Sequence, residues 1–344
     1  MKRKRRKFSN KKVSSALPLD LTLSPPVIGN PSTFSSKPWW SSDWWNLTSE
    51  GANNDIVSDF GAFGDLAVAA GSIRGNSHRL AGTRCEDSFS LATGETLTGD
   101  SFLIAVVGDG LGSAEHSAYG SRKATYQFAQ QLSKGLSQIS DLRCADVSPV
   151  ASAVIRPIKR NIASWSDGEY LAPSALSEGA SIGDFETTLS FVVIPAQGEK
   201  GTRSIIFGQI GDSPILLLSG GQWHHVRSTE EILSTEDDGA ILDSVTDGLH
   251  GAHSLLVESR SVSDSDVLLV ATDGVGNFIL SGEETLAAGH HFAEEWRRPS
   301  SPSTFINGLH FNSRTADDDR TAVVCWFNRQ QFTDQSEAAR KPHL

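Results

Sequence analysis

Residues 101–120 read SFLIAVVGDGLGSAEHSAYG, and the fold class follows from the change of texture inside that stretch. Residues 101–108 are a near-continuous apolar run of strand length, and Gly108-Asp109-Gly110 stops it with a turn. Helical spacing takes over immediately: in SAEHSAYGSRKATYQFAQQLSKGL, Ala118, Ala124, Phe128 and Leu132 fall on one stripe. Outward from this unit the same apolar texture recurs. LAVAAGSIRG (66–75) reads as the first strand, followed downstream by TTLSFVVIPA (187–196), RSIIFGQIGD (203–212) and SPILLLSGGQWHHV (213–226). The last two form a hairpin-like pair about Gly211-Asp212. DVLLVATDGVGNFI (266–279) is another strand closing on Asp-Gly, and RTAVVCWF (320–327) a late one. A second helix is expected over about 150–165, around Val154, Ile158 and Ile162. Strands come in runs and helices in groups, which predicts α+β with antiparallel sheets, not a doubly wound parallel sheet.

The chain has 344 residues, 38% of them hydrophobic and 21% charged, with a formal net charge of −11. No apolar run approaches the ~18–20 residues that span a bilayer. Three unpaired-looking cysteines, Cys85, Cys144 and Cys325, argue against a disulfide framework or a zinc ribbon and fit a reducing compartment. Residues 1–12, MKRKRRKFSNKK, carry eight Lys/Arg and no acid, leaving 22 basic against 41 acidic residues elsewhere. So acidic a body repels a phosphate backbone, which limits nucleic-acid contact to residues 1–12. No apolar core follows the basic run, so a secretory leader is not expected and a cytoplasmic location is. Residues 1–62, rich in Ser, Pro and Asn, read as a largely disordered extension. Within it Trp39, Trp40, Trp44 and Trp45 suggest docking on the domain or on a partner. Residues 63–330 form the expected domain and 331–344 a tail; residues 228–262, acidic and Ser-rich, read as a flap or an idle loop.

The chemistry is carried by acids at strand ends: Glu86-Asp87, Asp109-Gly110, Asp273-Gly274 and Asp317-Asp318-Asp319. A carboxylate there is held by the sheet yet stays at its wet edge. Several of them converging would repel unless hard cations neutralise them, and carboxylate oxygens suit Mg²⁺ or Mn²⁺ rather than zinc. No Cys-His or Ser-His pair stands at a recognisable spacing, and there is no G-x-G-x-x-G or Walker A loop.

GNSHRLAGTRCEDSF (75–89), VVGDGLGSAEHSAYGSRKA (106–124), ETTLSFVVI (186–194), IIFGQIGDSPILLL (205–218), DVLLVATDGV (266–275) and DDDRTAVV (317–324) occur in a set order. That order resembles the metal-dependent Ser/Thr protein phosphatases of type 2C, in the bacterial branch whose first motif reads Gly-x-Ser-His. The resemblance runs from about Gly71 to Phe327. It implies a four-layer αββα fold, a sandwich of two antiparallel β-sheets flanked by α-helices, with two Mg²⁺ or Mn²⁺ ions at one end. It implies hydrolysis of phosphoserine or phosphothreonine in a protein, often opposite a cognate kinase, by water lying between the metals.

By position, Asp109 resembles the carboxylate bridging both ions. Glu86 and the Gly110 carbonyl resemble ligands of one ion, and Asp273 and Asp318 ligands of the other. Asp87 resembles the acid that orients the attacking water. Two departures stand out. Gly82 occupies the position where many members carry a phosphate-gripping Arg, and His78 is the nearest candidate for phosphate contact or proton donation. Leu111 stands where some members have a proton-donating His. Arg79 and Arg84 read as surface residues, His116 as a surface or capping residue, and Asp212 as a turn residue. Thr187 and Thr188 read as strand residues near the site. Asp317 and Asp319 read as solvating a loop, with Asp319 where the family often has Asn. The missing Arg leaves a second class open, a phosphatase-like binding or regulatory module with little turnover.

Overall fold

The computed structural model describes residues 28, 55–161, 181–227, 248–251 and 255–328. Two antiparallel sheets lie face to face, and a separate two-stranded ribbon is formed by β11 (Leu280–Ser281) and β12 (Glu284–Thr285). One has six strands in the order β1-β2-β13-β10-β7-β8: Ile56–Phe63, Leu66–Ile73, Arg320–Trp326, Val267–Ala271, Ile215–Ser219 and Gln222–His225. The other has five in the order β3-β4-β5-β6-β9: Ser88–Glu95, Ser101–Gly108, Leu189–Pro195, Thr202–Ile210 and Leu256–Ser263. The expected four-layer αββα sandwich is what the chain builds.

Three apolar layers hold it together. Alternate residues of both sheets, among them Val68, Ala105, Val107, Val192, Phe207, Leu217, Val270 and Val323, fill the space between the sheets. This is why the central strands are apolar on both faces: each packs on the other sheet and on a helix layer. The outer face of the five-stranded sheet is covered by α1's successors α2 (Ser117–Leu136) and α3 (Cys144–Asn161), through Phe128, Leu132, Val147 and Ile158; the short α1 (Asn76–Ala81) lies elsewhere, just after β2. The outer face of the six-stranded sheet is covered by α4 (Asp273–Ile279), α5 (Ala287–Glu295) and α6 (Pro302–Leu309). Here Phe292 stacks on Trp296 at 4.1 Å between ring centroids, with Phe305 and Phe311 against them. Of the predicted α2 stripe, Ala124, Phe128 and Leu132 are fully buried, while Ala118 is only half-buried.

Four local expectations give way. The strand at 66–75 is the second one among the described residues: β1 precedes it and pairs with it, largely inside the span read as an extension. Ile28, inside the expected extension, is buried against the same core and its N–H bonds Asn312 O at 2.8 Å. Residues 213–226 are two strands, β7 and β8, turning at Gly220-Gly221. The Gly211-Asp212 hairpin does not exist, because β6 already pairs with β5 and β9, and β7 with β10 and β8. Residues 211–214 instead cross from one sheet to the other. Three elements carry little local signal: β9 buries only Val257 and Val262 in a polar stretch, and α5 and α6 are short, although Ser301-Pro302 marks α6 with an N-cap and a first-turn proline. The basic residues 1–12, Trp39–Trp45 and the bulk of 228–262 lie outside the described residues.

No helix among the described residues is long and apolar enough to cross a membrane. Cys85, Cys144 and Cys325 are all free thiols.

Candidate metal and phosphate site

One end of the sandwich collects the ends of β2, β4, β6 and β10 and the starts of β3, β5 and β13. Those are the strand ends that carry the acids. A cleft of about 510 Å³ opens there, lined by His78, Glu86, Asp109, Gly110, Thr188, Asp212, Asp273 and Asp318, among others. All five residues expected to face a metal therefore meet in one cleft, and His78 with them. Asp87 stands behind it, buried. The crossover at 211–214 delivers Asp212 to the cleft wall.

Each acid is held where a strand gives way to a loop or a helix. The Asp109 peptide is gripped from both sides: its N–H donates to Thr188 Oγ1 (2.9 Å) and its carbonyl accepts from Thr187 Oγ1 (2.8 Å) and Thr188 N (2.7 Å). Thr187 and Thr188 are thus more than strand residues, a role that polar side chains fully buried beside an acid could have signalled. Gly110 is required by close approach, since a Cβ there would meet Glu86 O at 2.7 Å. Asp273 opens α4 instead of ending a strand, with Thr272 at the N-cap position. Asp87 accepts a hydrogen bond from Thr272 Oγ1 at 2.6 Å, and the same oxygen accepts Thr321 N–H at 3.0 Å.

Asp319 overturns its reading as a loop-solvating residue. It is 2% exposed, and its carboxylate accepts the N–H groups of Gly75 and Glu86, both at 2.5 Å. Its Oδ1 also lies 2.9 Å from His78 Nδ1, while His78 Nε2 faces Glu86 Oε1 at 3.8 Å. His78, 18% exposed, is therefore a wall of the cleft clasped between two acids. Arg79 is not a surface residue either: it is 2% exposed, with Nη1 3.1 Å from His310 Nε2. Arg74, Arg79 and Arg320 form a buried cationic layer that borders Asp55 and the Asp319 side of the cleft. Burial, with the neighbouring guanidinium groups, pushes His310 down to about 3, so it stays neutral and can accept from Arg79. Burial followed by the charge of Arg79 pushes Arg320 down to about 10.

Gly82 also has a structural reason. It ends α1 in the left-handed conformation (φ 74°), its N–H returning to Arg79 O, and an Arg there would be strained. Arg84 packs its guanidinium 4.6 Å from the Tyr119 ring centroid and bonds the Tyr119 hydroxyl. His116 precedes α2 as its N-cap residue but offers no side-chain cap; its ring is buried 5.2 Å from Phe185.

The electrostatics are those of crowded anions. Burial, then the charges of Asp87 and Asp273, raises Asp109 well above the usual carboxylate range. Burial, then the Asp319 charge, does the same to Asp87. Burial also raises Asp273 and Glu86, the latter partly offset by His78. For His78, burial pulls the imidazole down, but the contact with Asp319 and the charges of Asp319, Glu86 and Asp318 outweigh it, and the net shift is upward. The contact with Asp273 favours the protonated form of the Asp109 carboxyl. A hard cation in place of that proton meets an all-oxygen donor set, the set Mg²⁺ and Mn²⁺ prefer.

A family model described as protein phosphatase 2C matches residues 74–304. Among solved structures, the S. agalactiae serine/threonine phosphatase is 15% identical at a TM-score of 0.48, over 76% of this chain and 99% of that one. The catalytic domain of the serine threonine protein phosphatase PstP, in complex with 2 manganese ions, is 19% identical at 0.45, over 76% and 97%. RsbX in complex with magnesium is 12% identical at 0.46, over 78% and 98%. A search of curated proteins gives no match. The matched span covers the first motif, the Asp109 and Asp273 strand ends and most of the sandwich between them. On that match the chain belongs to the protein phosphatase 2C family, enzymes that dephosphorylate phosphoproteins.

Proposed function

We propose that this protein hydrolyses phosphoserine and phosphothreonine in a protein substrate, with two Mg²⁺ or Mn²⁺ ions held by Glu86, Asp109, the Gly110 carbonyl, Asp273 and Asp318. The observation that carries the reading is the convergence of four carboxylates in one cleft, Glu86, Asp109, Asp273 and Asp318, where burial and neighbouring acids raise the proton affinities of Asp109, Asp273 and Glu86. Such a cluster is poised to exchange protons for cations. When bound, the ions would neutralise phosphoryl oxygens and acidify water.

The chain's own residues do the rest. The Thr187–Thr188 grip fixes the Asp109 peptide, so its carboxylate needs no reorganisation to hold charge. Asp87, anchored by Thr272 and kept basic by burial and nearby acids, is suited to orient the attacking water and take its proton. His78 walls the cleft on the Glu86 side, where it can meet the substrate phosphate. Strand ends hold these groups in line with the entering phosphomonoester, the positioning that phosphoryl transfer mainly needs. In this reading residues 56–327 are the catalytic unit, serving a substrate phosphorylated by a Ser/Thr kinase.

The test is hydrolysis of p-nitrophenyl phosphate and a phosphothreonine peptide with Mn²⁺, with Mg²⁺ and with EDTA, beside Asp109→Asn. Metal-dependent turnover that falls by at least about 100-fold in the variant is expected, more than an outer-layer partner would cost. A second reading rests on Gly82: with no Arg at that position, the protein could bind phosphoprotein and turn it over little. A folded, Mn²⁺-binding wild-type chain that hydrolyses neither substrate would put that reading first.

A further inference from the structure

We propose that Asp319 is a positioning residue that sets the metal-facing end of this site, and that its isosteric amide cannot replace it. The proposal rests on the reading of Glu86 and Asp318 as cation ligands.

Asp319 joins segments more than 230 residues apart in sequence. Its Oδ1 accepts the Gly75 N–H, and its Oδ2 accepts the Glu86 N–H. His78 Nδ1 lies against Oδ1 as well, at 2.9 Å. The groups facing this side chain are thus two peptide N–H donors and an imidazole nitrogen. The backbone of Asp319 is engaged too: its N–H donates to Asp318 Oδ1 at 2.8 Å. One buried residue therefore fixes the backbone of Glu86, the ring of His78 and the carboxylate of Asp318. A parallel tie runs alongside, from Ser77 N (2.9 Å) and Ser77 Oγ (2.8 Å) to Asp317 O.

Acceptor arithmetic makes the residue type specific. A carboxylate offers two oxygens and no donor. The isosteric amide offers one oxygen, and its NH₂ would point at a peptide N–H of either Gly75 or Glu86. Two donors face to face at hydrogen-bond distance repel, so in this chain, where His78 also lies against Oδ1, Asp319→Asn separates the loop carrying Glu86 from the loop carrying Asp318, although the family often carries Asn at this position. It keeps the Asp319 N–H bond to Asp318, which isolates the side chain's part. Outer-layer partners of metal ligands typically change affinity by about 10–100-fold.

The experiment is calorimetric titration of MnCl₂ into the metal-free full-length chain, wild type, Asp319→Asn, His78→Asn and the double variant, with a melting curve of each in EDTA. Asp319→Asn should weaken Mn²⁺ binding about 10–100-fold, and its p-nitrophenyl phosphate hydrolysis should recover partly at high Mn²⁺. The double variant should lose less than the sum of the two singles, because His78 and Asp319 act as one unit. Wild-type Mn²⁺ affinity in a folded Asp319→Asn would overturn the proposal. So would a lowered melting temperature with unchanged Mn²⁺ affinity, the signature of a merely structural residue. A wild-type chain that takes up no Mn²⁺ would overturn the metal reading and this role together, and so separates the two failures.

Discussion

Gly75 is where the first-motif loop and the Asp317–Asp319 loop touch, and Gly75→Ala probes that contact with a single methyl group. A Cβ at this position would lie 2.3 Å from the Asp318 carbonyl carbon and 2.5 Å from the carbonyl oxygens of Asp317 and Asp318. Ordinary contact begins near 3.4 Å, so the loops must separate by about 1 Å. Backbone conformation is not the issue: Gly75 sits at φ −68°, ψ 161°, which alanine adopts freely. The obstruction is backbone on both sides and cannot swing away as a side chain would. Overpacking of this kind costs about 1–3 kcal/mol. The larger effect falls on the site, since the same movement stretches the Gly75 N–H bond to Asp319 and shifts Glu86 against Asp318. A misplacement of ~1 Å can cost about 100-fold in rate. We therefore expect a drop of only a few degrees in melting temperature, with kcat on p-nitrophenyl phosphate lowered by one to two orders of magnitude and the Mn²⁺ requirement raised. Gly61→Ala is the control, because nothing lies within 4 Å of a Cβ there. A Gly75→Ala protein with wild-type kcat and Mn²⁺ dependence would refute the claim that this contact sets the site.

Two further outcomes follow from the same geometry. Thr272→Val removes the donor to Asp87 and the acceptor for Thr321 N–H at nearly constant shape, so it should cost about 2 kcal/mol in denaturant melts and reduce kcat; an unchanged midpoint would contradict it. In EDTA the folded-state affinities of Asp87, Asp109, Asp273 and Glu86 for protons exceed those of the unfolded chain. Their contribution to stability is therefore greatest in acid and is lost as pH rises toward neutral. Mn²⁺ takes the place of those protons, so its gain in melting temperature should be larger at about pH 7.5 than at about pH 5, and equal gains at both would count against the carboxylate cluster.

The acids of the site were legible because their signal is local. An apolar run bounded by an acid writes a carboxylate near a strand end within ten residues, and Glu86, Asp109, Asp273 and Asp318 all arrive in the cleft. The α+β class was legible for the same reason, since periodicity and run length are properties of short windows. Sheet membership is not. Whether β6 and β7 form a hairpin or a crossover depends on which edges β5, β9, β10 and β8 already occupy, and that competition leaves no trace near Gly211.

The sequence by itself determined the carboxylate chemistry, the apolar strands and the order of the motifs. Only the tertiary structure decided what surrounds those acids. Asp319 and Arg79 look like ordinary surface charges in the chain, yet folding buries both, one to tie two loops and the other within a layer of arginines. Gly82 looked like a lost phosphate grip and is the left-handed end of α1. A charged residue is buried only when partners from distant segments satisfy it, and those partners, some of them more than 230 positions away, exist as neighbours only in the fold.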